Sequence, residues 1–175
     1  TNNLMFVIIS GLAGSILLTI SAKTQIPLTP VPVTLQTLVV LVMSMLLGWR
    51  AAGFSTLLYL FEGTFLGLPV FASGGGLTYI LGPTGGFLIG FIFSSFFLGY
   101  LSEREWDRSI ILTFLAMFFA TLIIYFFGIL WFSYLKGFYS AISFALLPFI
   151  YFDFLKICLG TFIIAASWEI RTHFK

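Results

Sequence analysis

Asp153 and Lys156 lie three residues apart in the run PFIYFDFLKICLG (148–160), which is otherwise almost wholly apolar. A charged side chain placed in hydrocarbon costs at least ~2.5–3.5 kcal/mol on the lenient insertion scales. Positions i and i+3 of a helix share one face. Pro148 and the aromatics after it predict a helix that starts near residues 151–153, with Asp153 capping its first turn and Lys156 one turn in. One reading is a self-neutralising pair that staples the helix start. The other is recognition of a polar solute that carries an anionic end and hydrogen-bond donors. Lys156 would then meet a carboxylate, while Asp153 accepts from N–H groups or holds the lysine in place. Ala or Leu would serve a staple as well as a buried ion pair does, which favours recognition.

Two further segments could take part in binding. QIPLTPVPVTLQTL (25–38) holds Pro27, Pro30 and Pro32, which predict a stiff extended strip. Thr34 then begins a helix with Gln36 and Thr37 in its first turn. Thr34 and Gln36 are candidate solute contacts, and a rigid connector capped by Thr34 is the alternative. GLPVFASGGGLTYILGPTGG (67–86) is the second segment. Gly74 to Gly76 let a backbone approach a ligand closely, and Phe71 and Tyr79 flank them with aromatic surface. Gly82 and Thr84 lead into a helix whose free N–H groups could receive an anionic or carbonyl oxygen. Phe71, Gly75, Gly76, Tyr79, Gly82 and Thr84 therefore join the candidates. No lysine follows these glycines as a Walker phosphate loop requires, and a channel filter would need symmetric assembly. Glu62 could line a cavity, pair with a lysine or stay protonated, and it is not assigned to the site. In the first apolar run, Ser10 and Gly14, and Gly11 and Ser15, recur at four-residue spacing, which lets helix backbones come close in a bilayer. This face could contact a separate protein or pack within the chain.

The elements that must position these residues follow from composition. Of 175 residues, 60% are apolar and 8% charged, against roughly 25% charged in soluble domains. Eight Lys and Arg and six Asp and Glu cannot cover a water-facing surface, so the chain is expected to be an integral membrane protein. A spanning helix needs about 20 apolar residues. Cut by turn residues and charges, residues 1–175 read as a single all-α domain, a bundle of six transmembrane helices at about 4–22, 34–48, 51–67, 86–101, 110–131 and 152–170. The first run lacks a basic flank and reads as a retained helix. Connections at 48–50 and 102–109, and the tail 169–175, are tight and polar. Those at 22–34, 67–86 and 132–152 are long. Arg50, Arg104, Arg108, Arg171 and Lys175 lie on the tight side, and only Lys23 and Lys136 on the other. That bias places both termini and the tight loops in the cytoplasm and the long loops outside. The halves do not repeat, which argues against an inverted-repeat transporter.

Other classes are poorly supported. The net charge of +2 is scattered and points to no nucleic acid. Cys158 is the single cysteine, so neither a disulfide nor a cysteine metal cluster is expected, and no metal or cofactor is called for. His173, the one histidine, sits in the tail, and no HExxH or Gly-x-Ser-x-Gly pattern supports an intramembrane enzyme.

Together, IPLTPVPVTLQTL, GLPVFASGGG, GPTGGFLIG and the DFLK of Asp153 to Lys156 resemble BioY, the biotin-binding S component of energy-coupling factor (ECF) transporters, over essentially the whole chain. The resemblance implies a six-helix capture subunit in a bacterial cytoplasmic membrane, with biotin held under the outer loops. It also implies a transmembrane T component and two ABC-type ATPase subunits as partners, and members of the fold are thought to topple in the membrane to deliver substrate inward. A stand-alone carrier acting as an oligomer is the alternative. The family's Ala-x-x-x-Ala contact on the first helix is replaced here by Gly11, Ser15 and their neighbours, and Lys23 stands where relatives often have an uncharged residue.

Overall fold

The computed structural model describes residues 4–173, with side chains as far as Ser167. Arg171 and Lys175, used above for orientation, and His173 fall outside the described side chains. With few polar side chains and no water in a bilayer core, backbone N–H and C=O groups must pair within each segment, and the chain is mostly helical. Five helices among the described residues are long and apolar enough to cross a membrane: α1 (Leu4–Lys23), α2 (Gln36–Thr64), α4 (Gly85–Glu103), α5 (Ile110–Lys136) and the run Phe138–Ser167.

The element α2 is folded back on itself. Gly48 departs from helical geometry at φ 78° and ψ 172°. Gln36 Nε2 donates to the Tyr59 hydroxyl at 2.8 Å, whereas 23 residues of straight helix would separate them by about 34 Å. The arms 36–47 and 49–64 therefore run antiparallel. Glycine is needed at the turn because a Cβ there would be strained and would stand 2.7 Å from Glu103 Oε1. Six helical rods result. The first arm is short, and Gln36 at its start is already buried within the chain.

Two expectations are corrected. The proline-rich connection is not a plain extended strip. It is a small hairpin in which β1 (Gln25–Ile26) and β2 (Val33–Thr34) pair antiparallel, Gln25 opposite Thr34. The long outer connection expected over 132–152 does not exist either. A tight turn at Gly137 (φ 86°) joins α5 to α6 (Phe138–Ser140), the π-helical turns Ala141–Leu146 and α7 (Leu147–His173). A proline inside a helix lacks the ladder N–H, and its ring clashes with the carbonyl four residues earlier. Here the π-helical turns, which carry Phe144, widen the ladder just before Pro148. Asp153 consequently lies inside a helical run, not at its cap.

Packing follows the small residues. Gly11 meets the Phe54 ring, Gly14 meets Ser55 and Met43, Gly90 meets the Ile124 backbone, and Gly99 meets Trp49. Gly160 of α7 meets Met117 of α5 and Leu38 of α2. One buried cluster, with Phe71, Phe87, Phe91, Tyr125 and Phe149, fills the half beneath the outer loops. A second, with Leu41, Met45, Leu98, Met117 and Ile164, fills the other half. The loop after α2 carries the short helix α3 (Leu77–Ile80) and a bridge between Phe71 and Gly74.

Candidate functional site

A cavity lies where the first cluster opens beneath the loops. The hairpin contributes Val31, Pro32 and Thr34, and the start of α2 contributes Gln36 and Thr37. The glycine-rich loop and α3 contribute Phe71, Ala72 and Tyr79, with Thr84, Phe87, Leu88 and Phe91 at the start of α4. Ile124 and Tyr125 of α5 and Phe149 and Asp153 of α7 complete the wall. About 40 Å³ is open to the centre of a water-sized sphere, several times the ~10–15 Å³ that one water needs.

Asp153 sits 16 residues beyond Gly137, about 24 Å down the helical run at 1.5 Å per residue. It is 3% exposed. Lys156 Nζ donates to its Oδ1 at 2.7 Å, and the Tyr125 hydroxyl donates to its Oδ2 at 2.7 Å. Both oxygens keep a lone pair for a further donor. Lys156, 8% exposed, is absent from the cavity wall and reaches the cavity only through its ion pair with Asp153. The charged group in the cavity wall is thus a carboxylate whose charge is compensated by a lysine outside that wall. Such a wall can accept from N–H donors of a guest, whereas a guest's carboxylate would meet an acceptor.

Six aromatic residues, Phe71, Tyr79, Phe87, Phe91, Tyr125 and Phe149, contribute to the wall. Phe71, fully buried, stacks on Tyr79 at 5.0 Å and meets Tyr59 edge-on at 5.4 Å. Phe87 stacks on Phe149 at 6.0 Å. Offset or edge-on rings at these separations add to area burial and suit a flat apolar guest. Polar groups are few. Thr34 Oγ1 donates to Gln36 Oε1 at 3.1 Å and accepts from the Gln36 N–H at 3.3 Å, so Thr34 does serve the helix start.

Among the expected residues, Asp153, Thr34, Gln36, Phe71, Tyr79 and Thr84 are brought together around one cavity. Lys156 belongs to it only through Asp153. Gly75, Gly76 and Gly82 shape the loop instead. A Cβ on Gly75 would collide with the Leu68 carbonyl, Gly76 N–H donates to Gly63 O at 2.6 Å, and Gly82 O accepts from Trp131 Nε1 at 2.9 Å. Tyr125 was missed, along with Phe87, Phe91 and Phe149. The signal for Tyr125 was available: a hydroxyl within FFATLIIYFFGIL (118–130) must find a partner.

Of the two readings of the small-residue face of α1, packing within the chain describes most of it. Gly11, Gly14 and Ser15 are buried against α2, and Ser15 Oγ donates to Glu62 Oε2. They are used inside the chain, because only small residues let α1 come this close to α2. That hydroxyl contact also accounts for Glu62, which lines no part of the cavity. Ser10 remains at the edge of an apolar groove between α1, the first arm of α2 and Ile163.

Known proteins are similar to this chain in sequence and fold. A family model described as BioY family matches residues 3–173. "Biotin transporter BioY" of Thermotoga maritima is 37% identical over 150 residues, covering 84% of this chain and 86% of that protein. "Probable biotin transporter BioY" of Pyrococcus horikoshii is 35% identical over 141 residues, covering 80% and 82%. The crystal structure, at 2.1 Å, of the S-component for biotin from an ECF-type ABC transporter superposes with a TM-score of 0.82 at 26% identity. It covers 97% of this chain and 94% of that one.

Proposed function

The chain belongs to the BioY family, and on that premise we propose that it captures biotin for uptake as the S component of an ECF transporter. It is a transporter subunit and not an enzyme. The observation that carries the reading is Asp153 in the wall of an aromatic cavity, backed by Lys156 and Tyr125. Biotin has an apolar thioether ring for Phe71, Tyr79, Phe87 and Phe149, and a ureido ring with two N–H donors for Asp153. This turns the guest round relative to the sequence expectation, in which Lys156 met the carboxylate. The valerate instead points toward Thr84 and the glycine-rich loop.

Six membrane crossings with both termini in the cytoplasm fit the fold. The Gly48 turn meets the end of α4 through Glu103, so Arg50, Arg104 and Arg108 share one end, while Lys23 and Lys136 mark the other. The excess of basic residues on the first side supports a cytoplasmic assignment. The partners are a T component and two ABC-type ATPases in a bacterial cytoplasmic membrane, and the groove beside Ser10 is the face left open on α1 for the T component.

Calorimetric titration of the purified chain with biotin, biotin amide and an N-methylated ureido analogue tests the reading. Biotin and its amide bind within a few-fold of one another, and methylation of the ureido nitrogens abolishes binding. Absence of biotin binding would overturn the function. Loss of amide binding alone would reverse the orientation.

A further inference from the structure

Three successive carbonyls of the glycine-rich loop are each held by a side chain from elsewhere. The Tyr59 hydroxyl donates to Val70 O at 3.0 Å, Lys23 Nζ to Phe71 O at 2.6 Å, and Gln25 Nε2 to Ala72 O at 3.1 Å. Phe71 and Ala72 are cavity wall. Lys23 is the last residue of α1, and Gln25 is in β1, opposite the wall residue Thr34. A lysine at an exposed helix end ordinarily extends its ammonium into water, yet this one is spent on a backbone carbonyl 48 residues away. The helical sides of the cavity are interlocked through Gly90 and Gly128, which meet Ile124 and Phe87. The loop pieces close on themselves through the Phe71–Gly74 bridge and are tied to α2 by the Gly76 N–H bond to Gly63 O. The bonds that join the Phe71–Ala72 wall to α1 and β1 are those of Lys23 and Gln25.

We propose that Lys23 and Gln25 are positioning residues for the biotin site. They form a latch that holds the Phe71–Ala72 wall shut from the end of α1 and so sets how long the guest stays. The inference rests on the biotin reading above. Neither residue lines the cavity, so its effect falls on rates more than on recognition. Because the latch begins at the end of α1, a displacement of that helix would loosen the wall directly.

The test is the association and dissociation of radiolabelled biotin on the full chain in lipid nanodiscs. Lys23→Met combined with Gln25→Leu speeds dissociation about 10- to 100-fold, the range that two hydrogen bonds of typical net strength supply, with association no slower. Lys23→Arg, which can still donate to Phe71 O, keeps the slow exit. An unchanged dissociation rate in the double variant, or equal loss with Lys23→Arg, overturns the latch. Wild-type chain that binds no biotin overturns the underlying reading instead. A second measurement needs no substitution. Amide exchange over residues 70–76 of the wild-type chain slows when biotin binds, and equal protection with and without biotin refutes a moving wall.

Discussion

Asp153→Asn, Lys156→Met and the double variant separate a binding site from a staple. The carboxylate is 3% exposed and the lysine 8%, joined at 2.7 Å. Removing either partner of a buried pair leaves an uncompensated charge and costs about 3–5 kcal/mol of stability. Removing both takes away the charges together, so the double variant is destabilised by no more than about 1–2 kcal/mol. Binding follows a different pattern. A hydrogen bond to a charged group is worth ~1.5–3 kcal/mol, so Asp153→Asn weakens biotin about 10- to 150-fold for each ureido N–H it fails to satisfy. Lys156→Met also weakens it, by releasing the carboxylate from one of its two clamps. The double variant regains stability but binds no better than Asp153→Asn. Thermal unfolding in detergent and titration calorimetry read the two quantities on the same samples. A double variant that recovers both stability and biotin affinity would show the pair to be a staple, and the assignment of Asp153 to the ureido ring would be wrong.

Three further outcomes follow from the geometry. Gly48→Ala places a Cβ at φ 78° and 2.7 Å from Glu103 Oε1. It lowers stability by about 1–3 kcal/mol in thermal unfolding. Glu62→Leu removes the acceptor of Ser15 and costs ~1–3 kcal/mol, while Glu62→Gln costs less and both bind biotin normally, since Glu62 is not in the wall. Tyr125→Phe leaves Asp153 with Lys156 alone. It lowers stability by about 1.5–3 kcal/mol, as loss of one bond to a charged group implies, less than either single charge variant, and weakens biotin by loosening the carboxylate.

How far the site was legible depends on the kind of residue. Asp153 and Lys156 stood out because charge in an apolar run is rare and demands a purpose. Thr34, Gln36, Phe71, Tyr79 and Thr84 stood out because proline and glycine mark the segments that hold them. Phe87, Phe91 and Phe149 could not be picked from 23 phenylalanines, since rings that face lipid and rings that face the cavity are chemically alike. The misplaced helix start at 151–153 has a similar origin. Pro148 is a helix breaker by propensity, and only the π-helical turns before it let the helix run through.

Sequence alone determined that this chain belongs in a bilayer, because so few charges cannot cover a water-facing surface. It determined too that the chain spans as helices, because its apolar runs are long and do not alternate. It also determined that the buried pair, the proline-rich segment and the glycine-rich loop are the places to look. Tertiary structure decided which of the two charges lines the cavity, that Tyr125 bonds to it, and that Gly11, Gly14 and Ser15 serve the chain's own packing. The physical reason is rotation about helix axes. Helices apolar on every side carry no sequence stripe that marks an inner face, so their orientation is set by contacts between distant segments such as Gly160 with Met117 and Gly90 with Ile124.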